Sequence, residues 1–454
     1  RGNSWIKNSP YIFNAIFSDG SNIEIQVNSE FSSIENAFSY AEKYSKVKLL
    51  GEKSMRIEQK ITRIYPDKNL FSHVVGQIDN DNNGISGIEK SFDKNLKDGR
   101  GNLMLTLDKD LQFIIRNELL NAQKIFNNVG GAGILMNINN GEILSLVSVP
   151  DFNLNNREDI SNVNYINRAT KGVYELGSVF KSFTIAAGLN YDLISPKDKF
   201  LNLEKKMKCG GRTISEYDEN LPKDLSVEDI LVYSSNIGSV KIGQIIGQEK
   251  LKQFLETIGI LNQLSFDIEE TGKPIPFKWR ECKLKTVSYG HGITTTPIQL
   301  AKGYAILANG GYDINPTLIK KKSDNIIKKR ILNKNLSSQI IPIFRKVVEK
   351  GTATLSDVEG YEVGGKTGTA QIVENGTYTN KKINTFASIF PSSDPEYVLI
   401  VLLEDTKLSK DYLYKYRNKP GSYKGTPFNT AGWTSVEISG KIIDKIGPIL
   451  ATKY

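Results

Sequence analysis

The stretch Glu175-Leu-Gly-Ser-Val-Phe-Lys181 places a serine three residues before a lysine. The apolar segment that follows, residues 182–188, predicts a helix. Residues three apart on a helix share a face, with about 5–6 Å between Cβ atoms. This spacing brings the amine of Lys181 near the hydroxyl of Ser178, so the serine can act as a nucleophile and the lysine as its base. An N-cap serine followed by a surface lysine gives the same pattern, so its meaning depends on partners elsewhere in the chain.

The overall composition is that of an ordinary globular chain. Its 454 residues are 39% hydrophobic and 24% charged, and this length predicts more than one domain. No run of about 18 uncharged apolar residues appears, so no membrane-spanning helix is expected. No apolar, signal-like segment opens the chain.

The net charge of +9 suits anionic partners. Lysine-rich clusters occupy residues 205–208, 320–322 and 328–330. These clusters are not interleaved with aromatic residues and match no nucleic-acid-binding module, so no nucleic-acid partner is expected. The basic residues are interpreted as a solvated surface or as a surface that faces an anionic cell envelope.

Cys209 and Cys282 are the only cysteines in the sequence. One bridge between them remains open, but two structural thiols are the expected state. The only histidines, His73 and His291, show no metal-ligand spacing, so neither a metal site nor a cofactor is predicted. Both histidines lie outside the three catalytic motifs described below, and His291 is expected to be structural.

The hydrophobic pattern predicts helices that alternate with strands. Two apolar runs, residues 131–138 and 142–149, flank Asn139-Asn140-Gly141, and an Asn-Gly step in this setting is a strong hairpin signal. Ser226 and Asp229 form a helix-capping pattern. Further helices are predicted over residues 105–126, 251–258, 299–309 and 435–446, and strands over residues 385–390 and 397–403. This order predicts an α/β (α+β) fold, in which a sheet carries helices on its faces and the first hairpin lies beside the last strands.

The first hundred residues differ from the rest, because they are polar and rich in Asn, Ser and Lys. Residues 29–46 are compatible with an amphipathic helix, and residues 60–65 alternate like a strand. The glycine-rich segment over residues 84–101 predicts a boundary. The sequence therefore predicts a non-catalytic module over residues 1–100 and a second, larger domain over residues 101–454.

Three short motifs stand in a defined order along the larger domain. They are Ser178-x-x-Lys181, Ser234-Ser-Asn236, and Lys366-Thr-Gly368 followed by Thr369. Each alone is a weak signal, but their order is that of penicillin-binding proteins and serine β-lactamases. The flanking residues extend the pattern, at Tyr174-Glu-Leu-Gly-Ser178, Tyr233-Ser-Ser-Asn-Ile-Gly238, Gly290-His-Gly292, Thr296-Pro-Ile-Gln-Leu300 and Gly365-Lys-Thr-Gly-Thr-Ala-Gln371. With these segments the chain resembles a class B penicillin-binding protein, most of all the division-specific septal transpeptidase.

This resemblance implies a particular architecture and function. The C-terminal domain would have the serine-β-lactamase/transpeptidase-like fold, a mainly antiparallel central sheet flanked by helices. The N-terminal module would be a pedestal or a dimerisation element. The activity would be peptidoglycan D,D-transpeptidation of stem peptides that end in D-Ala-D-Ala, in septal cell-wall synthesis, with inhibition by β-lactams. The implied partners are division-complex membrane proteins, including a glycosyltransferase. The implied location is the periplasmic side of the inner membrane, with the anchor outside this chain.

Acyl transfer needs a nucleophile, a base, a proton donor for the leaving amine, and donors for the oxyanion. Ser178 would attack the carbonyl carbon of the D-Ala-D-Ala bond, with Lys181 as the candidate base. Lys181 must be partly neutral, which burial and the positive charge of Lys366 would favour. Ser234 is the candidate relay of the proton to the departing D-Ala.

The remaining motif residues suit substrate binding. The side chain of Asn236 can accept from the catalytic lysine and donate to a substrate amide. Lys366 would supply a positive field, and the hydroxyls of Thr367 and Thr369 would hold the terminal carboxylate.

Backbone groups complete the expected site. Gly368 would let the substrate backbone approach the strand edge closely. By resemblance, the backbone N–H groups of Ser178 and Thr369 form the oxyanion hole, and a helix that begins at Ser178 would add its dipole.

A motif of a different protein class overlaps the Lys366-Thr-Gly368 motif. Gly360-Tyr-Glu-Val-Gly-Gly-Lys-Thr367 satisfies the phosphate-binding pattern of P-loop NTPases. That loop must follow a buried strand and open a helix, whereas the residues upstream lack an apolar run and those downstream favour a strand. A P-loop NTPase is therefore a remote alternative.

Two alternatives use the same constellation as a transpeptidase. A serine β-lactamase would activate water for deacylation, but the long N-terminal module argues against a small hydrolase. A β-lactam sensor or a silent scaffold would keep the fold without the turnover. The transpeptidase, the β-lactamase and the sensor or scaffold predict different fates for a bound penicillin.

Overall fold

The computed structural model describes residues 63–98, 102–156, 163–320 and 329–454, together with the backbone of three strands before them. The chain divides into two compact units, residues 1–66 with 78–82 and residues 67–77 with 83–454. The boundary predicted near residue 100, and the separate role of the N-terminal module, stay predictions.

The smaller unit contains a three-stranded antiparallel sheet. Its central strand β1 (Tyr11–Ile16) pairs with β2 (Asn22–Val27) and with β3 (Met55–Arg56). The helix predicted over residues 29–46 lies outside the described residues. The strand predicted over residues 60–65 is wrong in its described part, since residues 63–65 have no regular structure.

The larger unit begins with three short helices, α1 (Ser72–Val75), α2 (Gly87–Ser91) and α3 (Asp93–Lys97). The long helix α4 (Lys109–Phe126) follows, and the side chain of Asp108 caps it by accepting from two backbone N–H groups of its first turn. The predicted helix over residues 105–126 is thus confirmed from Lys109 onward.

The hairpin predicted around Asn140-Gly141 is present as β4 (Gly130–Asn137) and β5 (Ile143–Val149). The chain then forms a series of helices and short strands: α5 (Lys181–Asn190), β6 (Lys199–Phe200), β7 (Lys206–Cys209), β8 (Arg212–Ser215), β9 (Leu225–Ser226), α6 (Val227–Val232), α7 (Asn236–Ile246), α8 (Gln248–Thr257), α9 (Glu281–Ser288), α10 (Pro297–Ala308) and α11 (Leu336–Glu349). The last elements are β10 (Gly364–Glu374), β11 (Thr377–Phe390), β12 (Tyr397–Glu404), β13 (Leu413–Lys415), β14 (Ser422–Lys424) and α12 (Ser435–Lys453).

A five-stranded antiparallel sheet is the centre of the larger unit, with the strand order β10-β11-β12-β4-β5. The first hairpin pairs beside β12, as the sequence predicts. Helices α4 and α12 pack on each other and on the sheet, and helices α10 and α11 form a second packed pair against it. All seven residues of β5 are buried, and because neighbouring side chains of a strand point to opposite faces, both faces are covered. The predicted fold class is confirmed.

Cys209 and Cys282 form a disulfide, with their Cα atoms 5.2 Å apart. The expectation of two free structural thiols is therefore wrong. The bond joins the end of β7 to the first turn of α9, two segments that are 73 residues apart in sequence. A sequence separation of this size gives no sign that the two ends meet, because the approach is made by tertiary packing.

Candidate active site

Ser178 lies in a 3₁₀ turn, Gly177–Phe180, which runs directly into helix α5. Gly177 has a φ of +62°, in the left-handed region that favours glycine. A Cβ placed on Gly177 would lie 2.6 Å from the carbonyl oxygen of Thr369, so glycine lets the turn pack closely against β10. Ser178 is half-buried, whereas the next residue, Val179, is fully buried and anchors the turn in the core.

Lys181 is fully buried at the start of α5. Its Nζ donates to the backbone carbonyl of Ser234 at 2.6 Å and to Oδ1 of Asn236 at 2.7 Å, and lies 3.0 Å from Ser234 Oγ. Burial lowers the pKa of Lys181 to about 7, against a weaker opposing effect of the charge of Glu216. A neutral amine has two hydrogens and one lone pair, and here two acceptors take the hydrogens. The lone pair therefore remains for a hydroxyl.

Ser234 is held in a left-handed backbone conformation, with a φ of +62°. This conformation is unfavourable for a residue other than glycine and is often found at functional sites. Its Oγ accepts from Lys366 Nζ at 2.9 Å, and Lys181 Nζ lies 3.0 Å away on its other side. A hydroxyl in this position can accept from one amine and donate to the other, which makes it suited to relay a proton.

Lys366 is also fully buried, and its Nζ additionally donates to the carbonyl oxygen of Thr367 at 3.1 Å. Burial, and then the positive charge of Lys181, lower the pKa of Lys366 well below its ordinary value. Among the described residues, no carboxylate is hydrogen-bonded to either amine. Because two buried ammonium groups repel each other, the pair favours one proton over two.

Asn236 and Glu216 connect the Ser234-Ser-Asn236 motif to the β7–β8 hairpin. Asn236 accepts from Lys181 as expected, and its Nδ2 donates to the carbonyl of Ser215 at 2.8 Å. The carboxylate of Glu216 accepts from Ser235 Oγ at 2.6 Å, from Asn236 N at 2.7 Å and from Ile237 N at 3.0 Å. An anion at the N-terminus of α7 is stabilised by the free N–H groups and the helix dipole.

Glu216 is thus a positioning residue that the sequence did not predict. It directly follows strand β8, twenty residues before Asn236. The expected signal of a helix cap is a polar side chain within three residues of the helix, and Ser235 already supplies one by accepting from the N–H of Gly238. A carboxylate that caps a helix from a distant hairpin leaves no local sequence pattern, so it cannot be predicted from the sequence near the helix.

The hydroxyls of Thr367 and Thr369 lie on β10 and differ in their surroundings. Thr367 Oγ1 lies 2.7 Å from Oγ1 of Thr352. Thr369 Oγ1 donates to Oδ1 of Asn384 at 3.0 Å and accepts from the backbone N–H of Ala431 at 2.9 Å. Thr369 must therefore exchange Asn384 for a ligand before its hydroxyl can donate to a carboxylate, as the predicted role requires.

The structure gives a second reason for glycine at residue 368, which the sequence did not indicate. A Cβ at this position would lie 2.1 Å from the carbonyl oxygen of Leu176, so the glycine lets the serine turn pack on the strand. The residue before Ser178 also lies close to Thr369, because a Cβ on Gly177 would be 3.1 Å from the backbone nitrogen of Thr369. The role of Ser178 and Thr369 as oxyanion donors stays a prediction.

The predicted residues surround one cavity of about 660 Å³. Among the residues that line it are Ser178, Lys181, Ser234, Asn236, Thr367 and Thr369. Lys366 lies behind the wall and reaches the site through its hydrogen bond to Ser234 Oγ. Aromatic side chains close other parts of the wall, namely those of Tyr217, Tyr233, Tyr289, Tyr378, Tyr416, Phe428 and Trp433.

The two histidines have different surroundings. His73 is buried, with Nε2 lying 2.7 Å from the carbonyl oxygen of Asn164, and burial lowers its pKa to about 4. His291 instead lies in the wall of the catalytic cavity, where Nδ1 is 3.8 Å from Oε2 of Glu175. The structural role expected for His291 stays a prediction.

The geometry of residues 360–367 is unsuited to a phosphate-binding loop. Such a loop opens a helix, which points its N–H groups at the phosphates. Residues 364–374 form strand β10 instead, and Thr367 pairs with Phe386 of β11. The remote NTPase alternative is not supported by this arrangement.

Residues 131–423 match the family described as the penicillin binding protein transpeptidase domain. The match covers more than half of the chain, and the chain belongs to this family. The predicted family is therefore confirmed.

Relatives and solved structures agree with this assignment. The chain is 29% identical over 421 residues to the probable peptidoglycan D,D-transpeptidase FtsI of Caulobacter vibrioides, covering 89% of this chain and 69% of that protein. It is 30% identical over 419 residues to the stage V sporulation protein D of Bacillus subtilis, covering 81% and 63%. The transpeptidase domain of Burkholderia pseudomallei penicillin-binding protein 3 has the same fold, with a TM-score of 0.65, 24% identity, and coverage of 76% of this chain and 96% of that one. The chain thus spans about two thirds of the length of these two relatives.

Proposed function

We propose that the chain is a peptidoglycan D,D-transpeptidase that cross-links stem peptides through an acyl-enzyme on Ser178. The observation that carries the proposal is the placement of Lys181 and Lys366 on either side of Ser234 Oγ, at 3.0 and 2.9 Å, in the wall of the cavity that Ser178 lines. This arrangement supplies a neutral base, a relay and a positive charge without a histidine.

In the acylation step, Ser178 Oγ attacks the carbonyl carbon of the penultimate D-Ala and loses its proton to the neutral amine of Lys181. The developing oxyanion is stabilised by backbone N–H groups, in the predicted arrangement those of Ser178 and Thr369. The C–N bond then breaks, and the departing amine takes a proton through Ser234 Oγ. The proton that Lys181 and Lys366 share favours binding of the substrate carboxylate near Thr367 and Thr369, because both amines lie against Ser234 Oγ.

In the second step, the amine of another stem peptide attacks the ester carbonyl. The new amide bond forms as the C–Oγ bond breaks, and Ser178 recovers its proton. Water would give a shortened peptide in place of a cross-link, so the partition between amine and water defines the enzyme as a transpeptidase.

The cellular setting is part of the proposal. The relative from Caulobacter vibrioides carries the name FtsI, and this likeness supports a role in septal wall synthesis with division-complex membrane proteins, including a glycosyltransferase. The described helices are each too short or too polar to cross a membrane. A location on the periplasmic side of the inner membrane is inferred from the family.

Incubation with a fluorescent penicillin, followed by intact-mass measurement, tests the function. We expect one long-lived adduct on Ser178 and no adduct in Ser178→Ala. Rapid release of the hydrolysed drug would favour a β-lactamase. A stable adduct in a chain that neither cross-links nor shortens D-Ala-D-Ala peptides would favour a sensor, and no adduct at all would overturn the proposed chemistry.

A further inference from the structure

Glu175 lies three residues before Ser178 and lines the same cavity. Its side chain is only 13% exposed. The acylation chemistry proposed above makes no use of it. A largely buried carboxylate in the same cavity as the nucleophile therefore needs another explanation.

The carboxylate of Glu175 is held in place by hydrogen bonds from other elements. The hydroxyl of Tyr378 on β11 donates to Oε1 at 3.0 Å, and the backbone N–H of Gly292 donates to Oε2 at 3.0 Å. The ring of His291 is stacked between those of Tyr289 and Tyr378, with centroid distances of 5.9 and 5.0 Å. The position of the carboxylate is thus fixed before any ligand binds.

The groups that hold Glu175 do not neutralise it. Tyr378 and the Gly292 N–H are neutral donors. Burial lowers the pKa of His291 below its ordinary value, which favours the uncharged ring at neutral pH. The nearby Lys283 donates to the carbonyl of Gly292 and lies 4.1 Å from the centroid of the Phe277 ring. Among the basic side chains of the described residues, only that of His291 lies within 4 Å of the Glu175 carboxylate, and Lys283 interacts with it through its charge without a hydrogen bond.

The cavity wall therefore carries a carboxylate at Glu175 and buried amines behind Ser234. The buried pair Lys181 and Lys366 holds a proton behind Ser234, where the carboxylate of the donor peptide is expected. Glu175 supplies negative charge beside Ser178, where it would repel that carboxylate and attract a cation. A partly buried carboxylate that has no lysine or arginine within hydrogen-bonding distance among the described residues is a suitable site for a primary ammonium group, which can make charge-assisted hydrogen bonds to it.

We propose that Glu175, supported by Tyr378 and Gly292, is the subsite that binds the acceptor as its ammonium ion and holds it next to the Ser178 ester. The inference rests on the proposed function, because only a transpeptidase needs an acceptor amine. Because an ammonium nitrogen has no lone pair, it first loses one proton to solvent. The neutral amine then attacks the ester carbonyl carbon, and its second proton ends on Ser178 Oγ as the C–Oγ bond breaks. The ligand class is a peptide that carries a free side-chain amine.

The test compares two nucleophiles after acylation by a thioester analogue of the donor peptide. N-acetyl-lysine amide presents a charged amine, whereas hydroxylamine is uncharged at pH 7.5. We expect the ratio of lysine aminolysis to hydroxylamine capture to fall about tenfold or more in Glu175→Gln, since the variant loses the charge that strengthens a hydrogen bond to an ammonium group. Glu374→Gln is the matched control, because Glu374 is exposed at the far end of β10 and pairs with Lys381.

A second measurement uses the unaltered chain. N-acetyl-arginine amide carries a cation that suits a carboxylate but is a poor nucleophile. It should suppress lysine aminolysis and leave hydroxylamine capture unchanged. An equal effect on both nucleophiles, or no effect of either the variant or the arginine derivative, would overturn the subsite. Failure of the unaltered chain to form any acyl-enzyme would instead overturn the proposed function, and the subsite with it.

Discussion

Lys181 and Lys366 share one hydrogen-bonding partner, because their Nζ atoms lie 3.0 and 2.9 Å from Ser234 Oγ. Both amines are fully buried, and neither is hydrogen-bonded to a carboxylate in the described part of the chain. The repulsion between two such ammonium groups disfavours the doubly protonated state. The two amines therefore favour a state in which one is protonated and the other is neutral, with a lone pair that can accept a proton.

The acylation rate should rise with pH through about 7, because Lys181 must be neutral to act as a base and its pKa is lowered to about 7. A single deprotonation of this kind gives a roughly tenfold higher rate at pH 8 than at pH 6. The rate of labelling by a fluorescent penicillin between pH 5 and 9 measures it. A rate that is flat or falls from pH 6 to 8 would contradict the assignment of the base.

The same pKa shift predicts how stability responds to pH. The folded pKa of Lys181, about 7, is below its ordinary value of 10.5, so the unfolded state binds more protons between these two values. The contribution of this group therefore makes the free energy of unfolding increase from pH 7 to 10.5. The difference between the denaturation curves of the parent chain and Lys181→Met isolates it, and a parent that gains no stability relative to the variant over that range would contradict the shift.

Removal of the base should prevent acylation while the fold remains. Lys181→Ala should slow penicillin acylation by about 10²–10⁴-fold, the usual contribution of general acid–base catalysis. Intact-mass measurement after timed exposure gives the rate, and circular dichroism reports the fold. Lys171→Ala, an exposed lysine before the same turn, is the control. Retained labelling in Lys181→Ala would remove this residue from the mechanism.

Local sequence patterns are sufficient to predict many of the helices, strands and turns. The Asn140-Gly141 turn, the Ser226–Asp229 capping box and the strand of residues 397–403 lie where the sequence predicts them. Each depends on neighbours within a few residues, which is the range over which turn chemistry, capping and hydrophobic periodicity act. The three motifs were found for the same reason, because each has a fixed short spacing.

Groups that act across the fold were not predictable in this way. Glu216 reaches the Ser235–Asn236 backbone from another element, and Tyr378 reaches Glu175 across 203 residues of sequence. The disulfide between Cys209 and Cys282 was expected to be two thiols, since sequence spacing cannot show which distant segments meet. The sequence predicts that Gly368 allows close approach of the substrate, and the structure adds its contact with Leu176.

Loss of the Glu216 charge should weaken the hydrogen bonds that hold the Ser234-Ser-Asn236 motif in place. Glu216→Gln removes an anion that accepts from three donors, and an unsatisfied buried donor costs about 1–3 kcal/mol. We expect a lower free energy of unfolding by that amount and slower acylation, because Asn236 and Ser234 both contact Lys181. Urea denaturation and penicillin labelling measure the two effects. Glu219→Gln, an exposed neighbour in the same segment, should change neither, and an unaltered Glu216→Gln would exclude the positioning role.

The disulfide should make a measurable contribution to stability. Closing a loop of 73 residues lowers the entropy of the unfolded chain, which the chain-entropy model values at roughly 4 kcal/mol. Replacing both cysteines by serine should lower the free energy of unfolding by up to this amount. Reductant should destabilise the parent chain and leave the double variant unchanged. Equal stability of the oxidised and reduced parent would contradict the bond.

A methyl group at residue 368 should displace the nucleophile without removing any catalytic side chain. In Gly368→Ala the new Cβ would meet the carbonyl oxygen of Leu176 at 2.1 Å and Cγ1 of Val179 at 3.0 Å, so the turn that holds Ser178 must move away from β10. A displacement of about 1 Å at a reacting group costs roughly a hundredfold in rate, and we expect at least that loss in penicillin acylation. Gly211→Ala is the matched control, because nothing lies within 4 Å of its Cβ position and it has no left-handed φ. Normal acylation of Gly368→Ala would show that the packing of the turn on the strand does not position Ser178.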